Sequence, residues 1–186
     1  MRYMFSSYNV PPPNPRYLVS WNHKQQAATS LSNGVTNQAW LSSILVDYPC
    51  TIDQMTMNIS TGSAATNIRL GLYKPLVTTP FTPVGGSLVS QSGNISAATS
   101  GLKTWTITTP IRLDPGWYFG ALLTADGTQA FRRATANAIY DDATAEFIKG
   151  SQFDNTAFGN LIDPCPAVTL ENSASFVCLL RVSTWG

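Results

Sequence analysis

The sequence contains few charged residues. Asp, Glu, Lys and Arg make up only 11% of its 186 residues, whereas 44% are hydrophobic, and soluble proteins usually carry about 25% charged residues. Ser, Thr, Asn and Gln supply the polarity instead. Thr suits the exposed face of a strand, whereas Lys and Glu suit the exposed face of a helix. The composition therefore favours an all-β fold.

The charges that are present do not form a basic cluster. The formal net charge is +1, and phosphate binding needs clustered Lys and Arg. The nearest approach to a cluster is Arg132 beside Arg133, but adjacent residues of a strand point to opposite faces. We therefore expect no nucleic-acid partner.

Long hydrophobic runs are also missing. No stretch of about 18 apolar residues occurs, so we expect no insertion into a membrane. The first residues, 1–8, lack the apolar segment of a signal peptide, which is roughly 7–15 residues long. We expect the chain to be made and used without export.

Residues that carry most enzyme chemistry are scarce. Cys50, Cys165 and Cys178 do not have a zinc-binding spacing, so we expect buried, reduced thiols. His23 is the only histidine, and no Gly-x-Ser-x-Gly motif accompanies it. We predict no catalytic, metal-binding or cofactor-binding residues and no enzymatic activity.

Acidic residues form one cluster in the sequence. Only two glutamates, Glu146 and Glu171, are present, whereas glycoside hydrolysis needs two carboxylates at a defined separation. Asp141 and Asp142 lie close to Glu146. They could bind calcium, but we favour a helix N-terminus, where carboxylates stabilise the positive end of the helix dipole.

Alternating apolar and polar residues predict strands along most of the chain. In one such segment, Ile68 and Leu70 fall on one side of the strand and Arg69 and Tyr73 on the other, because successive side chains flip faces. One side can form a core while the other stays exposed to solvent. The pattern predicts a single antiparallel β-sandwich of jelly-roll type over residues 17–186. The predicted strands are 17–21, 39–46, 51–59, 67–74, 87–90, 103–108, 117–124 and 174–185.

Two segments interrupt this pattern. Residues 23–37 are predicted to be a polar connection that ends in a Ser-Asn-Gly turn signal. Within 134–166, Ile139, Ala143 and Phe147 recur at helical spacing and predict a short helix, followed by a long loop from Gly150 to Pro166. We expect 134–166 to be an insertion at one end of the sandwich.

Residues 1–16 are predicted to form an extended arm, rich in aromatic residues and proline. Proline fixes φ and favours polyproline II, so the proline stretch cannot extend a sheet. Leaving the aromatic side chains in water is unfavourable, and we therefore expect the arm to pack against a partner chain or a neighbouring subunit. A tryptophan next to the C-terminus is also expected at an interface. The predicted docking residues are Tyr3, Met4, Phe5, Tyr8, Pro11, Pro12, Pro13 and Trp185.

Three segments resemble a jelly-roll module found in virion proteins of tailed bacteriophages. They are Asn67-Ile-Arg-Leu-Gly-Leu-Tyr73, Gly86-Ser-Leu-Val-Ser-Gln-Ser-Gly93 and Leu113-Asp-Pro-Gly-Trp-Tyr-Phe-Gly-Ala-Leu122. The likeness covers residues 50–124, and carbohydrate-binding jelly rolls of cellular origin share these motifs. It implies a structural component of the virion surface that is made in the host cytoplasm and is usually a homotrimer.

The resemblance implies two alternative functions. The first is a capsid cement or decoration protein that docks on the major capsid protein through the arm and links neighbouring capsid subunits. We favour it because the chain has no shaft-like repeat and no coiled-coil heptads. The alternative is a tail-fibre or receptor-binding tip that recognises host glycans through Tyr, Trp and the loops within 126–166.

Overall fold

Antiparallel strands account for all the regular secondary structure in the described part of the chain. The computed structural model describes residues 16–19, 30–33, 35–64, 66–80, 82–135, 151–170 and 174–186. These ranges contain no helix, in agreement with the all-β fold expected from composition. The strands are β1 (Arg16–Val19), β2 (Ser30–Asn33), β3 (Gln38–Val46), β4 (Cys50–Thr61), β5 (Asn67–Lys74), β6 (Ser87–Gln91), β7 (Ile95–Ser96), β8 (Gly101–Leu113), β9 (Gly116–Thr124), β10 (Ala130–Thr135), β11 (Ser151–Asp154), β12 (Thr169–Leu170), β13 (Ala174–Phe176) and β14 (Cys178–Trp185).

The strands form two sheets of seven. In the first sheet, β4 pairs with β8 on one side and with β14 on the other, and β1 adds to β14. Strand β10 pairs with the end of β4 and also with β2 and β13. The second sheet has the order β12-β11-β3-β9-β5-β6, with β7 also paired to β5. The two sheets pack together, so the predicted antiparallel β-sandwich is confirmed.

The main hydrophobic core lies between the two sheets. Met55 and Met57 of β4 and Leu180 of β14 enter it from the first sheet, and Ile68 and Leu70 of β5 enter it from the second. Residues two apart on a strand share a face. The alternation in the sequence therefore predicted correctly that Ile68 and Leu70 share the face that forms the core.

A second hydrophobic core lies on the opposite face of the second sheet. Tyr73, Phe119 and Leu123 are buried there together with Phe153 and Leu161. The expectation that this face stays exposed to solvent is wrong. Strand β9 is apolar on both of its faces, and a sheet with two apolar faces has to be covered on both sides.

Residues 155–168, which follow β11 at the edge of the sheet, form the cover over this face. Ser151–Asp154, which falls within the expected loop, is a strand that pairs with β3. The hydroxyl of Tyr73 donates to the carbonyl of Ile162 at 2.6 Å, which ties the cover to β5. The prediction of a continuous loop is therefore wrong at β11, because four residues are too few to reveal a strand by their pattern.

Three further segments differ from the expected elements. Ser30–Asn33 is a strand inside the expected polar connection. Ala130–Thr135 is a strand that is absent from the expected strands, although Arg132 and Arg133 were treated as strand residues. The expected terminal strand 174–185 is interrupted at Val177, which separates β13 from β14.

Gly120 of β9 lies where the two sheets pack tightly. A methyl group added there would lie 2.7 Å from Cys178 Sγ and 3.0 Å from Met55 Cε. We predict that Gly120→Ala lowers the free energy of unfolding by about 1–3 kcal/mol, because overpacking forces core side chains out of their preferred rotamers. Gly93→Ala is the control, since a methyl group there would contact nothing within 4 Å. Equal urea-unfolding midpoints for the two variants would contradict the prediction.

Candidate docking surface

Short connections join the two sheets at one end of the sandwich. Residues 47–49 link β3 to β4, and residues 114–115 link β8 to β9. The hydroxyl of Tyr118 accepts a hydrogen bond from the N–H of Asp114 and donates one to the carbonyl of the same residue, both at 3.2 Å. We call this end of the sandwich the connector end.

The first described strand, β1, begins near the connector end. Arg16, the first residue of β1, pairs with Val182 of β14. Trp185, the last residue of β14, pairs with Cys50 at the start of β4. Because three strand residues span about 10 Å, the chain that precedes Arg16 joins the sandwich close to Trp185. We call Arg16, Trp185 and their paired residues the arm root.

Trp185 is the one predicted docking residue within the described part of the chain. Its indole ring is partly buried and packs against the main core. The following residue, Gly186, donates its N–H to the carbonyl of Pro49 at 3.0 Å, which fixes the end of β14. The other predicted docking residues lie outside the described residues, so their role stays a prediction: Tyr3, Met4, Phe5, Tyr8, Pro11, Pro12 and Pro13.

The connection between β5 and β6 also lies at the connector end. Strand β5 ends beside the start of β9, since Tyr73 pairs with Phe119. Residues 75–86, which follow β5, contain no charged residue, and we call them the apolar loop. Sequence reasoning did not select this segment, although apolar residues between prolines in a stretch without charge were a usable signal.

Exposed apolar side chains are concentrated at this end. The described part of the chain exposes seven large hydrophobic side chains, and four of them lie at the connector end. Val77, at the tip of the apolar loop, is 91% exposed. Contiguous exposed apolar patches usually mark a site of association, and three of these four side chains belong to one loop. The four are Tyr48, Leu76, Val77 and Val84.

An ion pair orders the exposed face of the first sheet near the arm root. Arg181 of β14 donates from Nε and Nη2 to the two carboxylate oxygens of Asp53, both at 2.7 Å. Tyr17 of β1 pairs with Arg181 on the next strand. The hydrogen bonds from Arg181, with its positive charge as a smaller contribution, hold the pKa of Asp53 below its usual value.

We predict that the fold loses stability at acidic pH because this ion pair is lost there. The pKa of Asp53 is lower in the folded chain than in the unfolded one. Its contribution is therefore fully present above the unfolded value of about 3.9 and is lost as pH falls through the lower folded value. Urea unfolding at several pH values should show a smaller acid-induced loss of stability for Asp53→Asn than for the wild type. Parallel pH profiles of the two proteins would contradict this expectation.

All three cysteines are buried and free, as expected from their number and spacing. Burial raises the pKa of Cys50 to about 11 and the pKa values of Cys165 and Cys178 to about 12. A thiol with such a pKa stays protonated at neutral pH, and the thiolate is the form that reacts as a nucleophile. These thiols therefore fill space in the two cores.

We predict that none of the three thiols reacts rapidly with a thiol-specific reagent in the folded protein at mildly alkaline pH. All three should react at once in guanidinium chloride, because unfolding returns their pKa values to about 8.5 and exposes them. Counting labelled cysteines by mass spectrometry before and after unfolding measures the difference. Rapid labelling of any cysteine in the folded protein would contradict the prediction.

Several candidate residues for catalysis, metal binding or a helix lie outside the described residues. Within the described ranges, no three His, Cys, Asp or Glu side chains lie close enough to hold a metal ion. No helix that is long and apolar enough to cross a membrane is found in those ranges. The candidate residues that lie outside the described ranges are His23, Ile139, Asp141, Asp142, Ala143, Glu146, Phe147 and Glu171.

The connector end is a surface suited to association. It combines exposed apolar side chains with the arm root, where Arg16 and Trp185 are held by backbone pairing. The sequence matches no protein-family model and no curated protein at a significant level. The connector end is therefore the feature from which a function can be argued.

Proposed function

We propose that this chain is a non-enzymatic structural protein of a tailed-bacteriophage virion. It acts as a capsid cement or decoration protein of jelly-roll type that docks on the major capsid protein and links neighbouring capsid subunits. It is made in the host cytoplasm and, as a homotrimer, occupies the virion surface. The motif resemblance over residues 50–124 and the low content of charged residues support this proposal.

The observation that carries the proposal is the position of the arm root. Arg16 and Trp185 bring the start of the arm and a partly buried tryptophan to one end of the sandwich. An extended segment of 15 residues spans up to about 50 Å. An arm fixed at this end can therefore cross the boundary to a neighbouring subunit.

The arm docks by burying aromatic side chains on the shell. Tyr3, Phe5 and Tyr8 are the anchors, since buried aromatic residues contribute most of the binding free energy in many interfaces. The prolines at 11–13 limit the conformations of the free arm, which lowers the entropy lost on docking. A stable contact buries about 800 Å² on each partner. Binding to the assembled shell alone would stabilise that shell by mass action.

We predict that removing residues 1–15 abolishes shell binding while the sandwich stays folded. Replacing two anchors together, Tyr3→Ala with Phe5→Ala, should weaken shell binding about 100-fold, since each buried aromatic anchor contributes roughly 1–2 kcal/mol or more. Co-sedimentation with empty shells, or with virions stripped of the protein, measures the binding. Leu102→Ser is the matched control, because this exposed side chain lies on β8 at the end opposite the connector end.

Intact shell binding by the shortened chain would contradict the docking role of the arm. Loss of binding by the Leu102→Ser control would show that the effect is not specific to the arm. An oligomer that ignores shells but adheres to host cells would support the alternative, a tail-fibre tip that binds host glycans. A glycan array with the same protein would then identify the sugar.

A further inference from the structure

Arg69 of β5 carries a positive charge that no described carboxylate neutralises. Its guanidinium donates from Nε to Asn94 Oδ1 at 3.0 Å and from Nη1 to Asn160 Oδ1 at 2.7 Å. Nη1 also donates to the carbonyl of Ser92 at 3.4 Å. All three acceptors are neutral, and the ion pairs among the described residues do not include Arg69. A guanidinium in such a setting can form a charge-assisted hydrogen bond with an anionic ligand.

Part of this guanidinium is still free to donate. Within the described part of the chain, Arg69 Nη2 makes no hydrogen bond, and it does not belong to the buried polar atoms that lack a partner, so solvent reaches it. A guanidinium only donates hydrogen bonds, so the oxygens of Asn94 and Asn160 must be the atoms that face it. The Nδ2 groups of these two exposed residues are left as donors at the surface. We call Arg69, Asn94 and Asn160 the arginine site.

Hydrogen bonds order the arginine site before any ligand binds. Ser92 donates its N–H to the carbonyl of Leu70 at 2.8 Å, and Leu70 donates its N–H to Ser92 Oγ at 3.0 Å, which anchors the connection after β6 beside β5. The N–H of Leu161 donates to Gln91 Oε1 at 2.9 Å, which anchors the residue that follows Asn160. A site that is ordered in advance loses little conformational entropy on binding.

The arginine site fits a single carboxylate. The planar guanidinium presents paired N–H groups that match the two oxygens of a carboxylate. Residues 87–102 and 151–170, which contain the two asparagines, include no Lys or Arg. A polyanion such as a nucleic acid needs several positive charges. One fixed charge therefore favours a ligand with one negative charge.

The neighbouring polar groups favour a saccharide as the carrier of that carboxylate. Ser96 and Thr156 are exposed in the same two segments as the asparagines. Hydroxyl and amide groups both donate and accept hydrogen bonds, which suits the hydroxyl groups of a sugar. A peptide is usually recognised through a sheet edge or an apolar groove as well. We propose that the arginine site binds the carboxylate of an acidic saccharide, such as a hexuronate.

Titration of the full-length chain with sodium glucuronate, followed by the NMR shifts of its amide groups in a low-salt buffer, tests this proposal. The dissociation constant should be on the order of millimolar, since the contacts are few and one of them is charge-assisted. Glucose, which has a neutral group in place of the carboxylate, is the matched ligand and should bind at least about 10-fold more weakly. Added salt should weaken glucuronate binding, because it screens an exposed charge.

Asn94→Asp separates binding from a purely structural role of Arg69. The new carboxylate can accept from Arg69 Nε as Asn94 Oδ1 does, so the bridge to β5 is kept. It also neutralises the guanidinium and repels the ligand. Glucuronate binding should therefore weaken at least about 10-fold, while the urea-unfolding midpoint does not fall. Asn58→Asp, the same change in charge on β4 of the first sheet, should bind as the wild type does.

Three outcomes would overturn the proposal. The first is that glucose binds the wild type as tightly as glucuronate, or that neither binds. The second is that Asn94→Asp, folded by near-ultraviolet circular dichroism, binds glucuronate as the wild type does. The third is that acetate or acetylglycine binds as tightly as glucuronate, which would show that the saccharide is not recognised. Asn160→Asp replaces Asn94→Asp if that variant does not fold, because Asn160 accepts from Nη1 of the same guanidinium.

This proposal does not rest on docking by the arm. Arg69 lies near the start of β5, at the end of that strand away from the apolar loop. Removing residues 1–15 should abolish shell binding and leave glucuronate binding unchanged, whereas Asn94→Asp should have the opposite effects. A failure of one prediction therefore leaves the other one open to its own test.

Discussion

The second sheet must be covered on both faces, and the rest of the structure depends on this constraint. On β9, Tyr118 and Leu122 face the main core, whereas Phe119 and Leu123 face the second core. Exposing either row to water would cost roughly 1.5–3 kcal/mol for each large apolar side chain. The second sheet is therefore the middle layer of three. Residues 155–168 supply the third layer, and they contain no strand.

Polar contacts hold this third layer in place, since it has no strand pairing of its own. Arg69, on the covered face of β5, donates from Nε to Asn94 Oδ1 at 3.0 Å and from Nη1 to Asn160 Oδ1 at 2.7 Å. It thereby bridges the sheet and the cover. Cys165 belongs to the same cover and also bonds the base of the apolar loop through its backbone. The same segment therefore covers the second core and holds the base of the apolar loop.

Alternation with a period of two was sufficient to predict most strands and the residues that share each face. It gives no information about what lies above a face, so the burial of Tyr73 could not be predicted. That burial depends on residues 151–168, which are distant in the sequence. Strands β2 and β11 escaped prediction because four residues are too few to distinguish alternation from chance. The connector end was not predictable either, since only tertiary structure brings Arg16, Trp185 and the apolar loop to the same end of the sandwich.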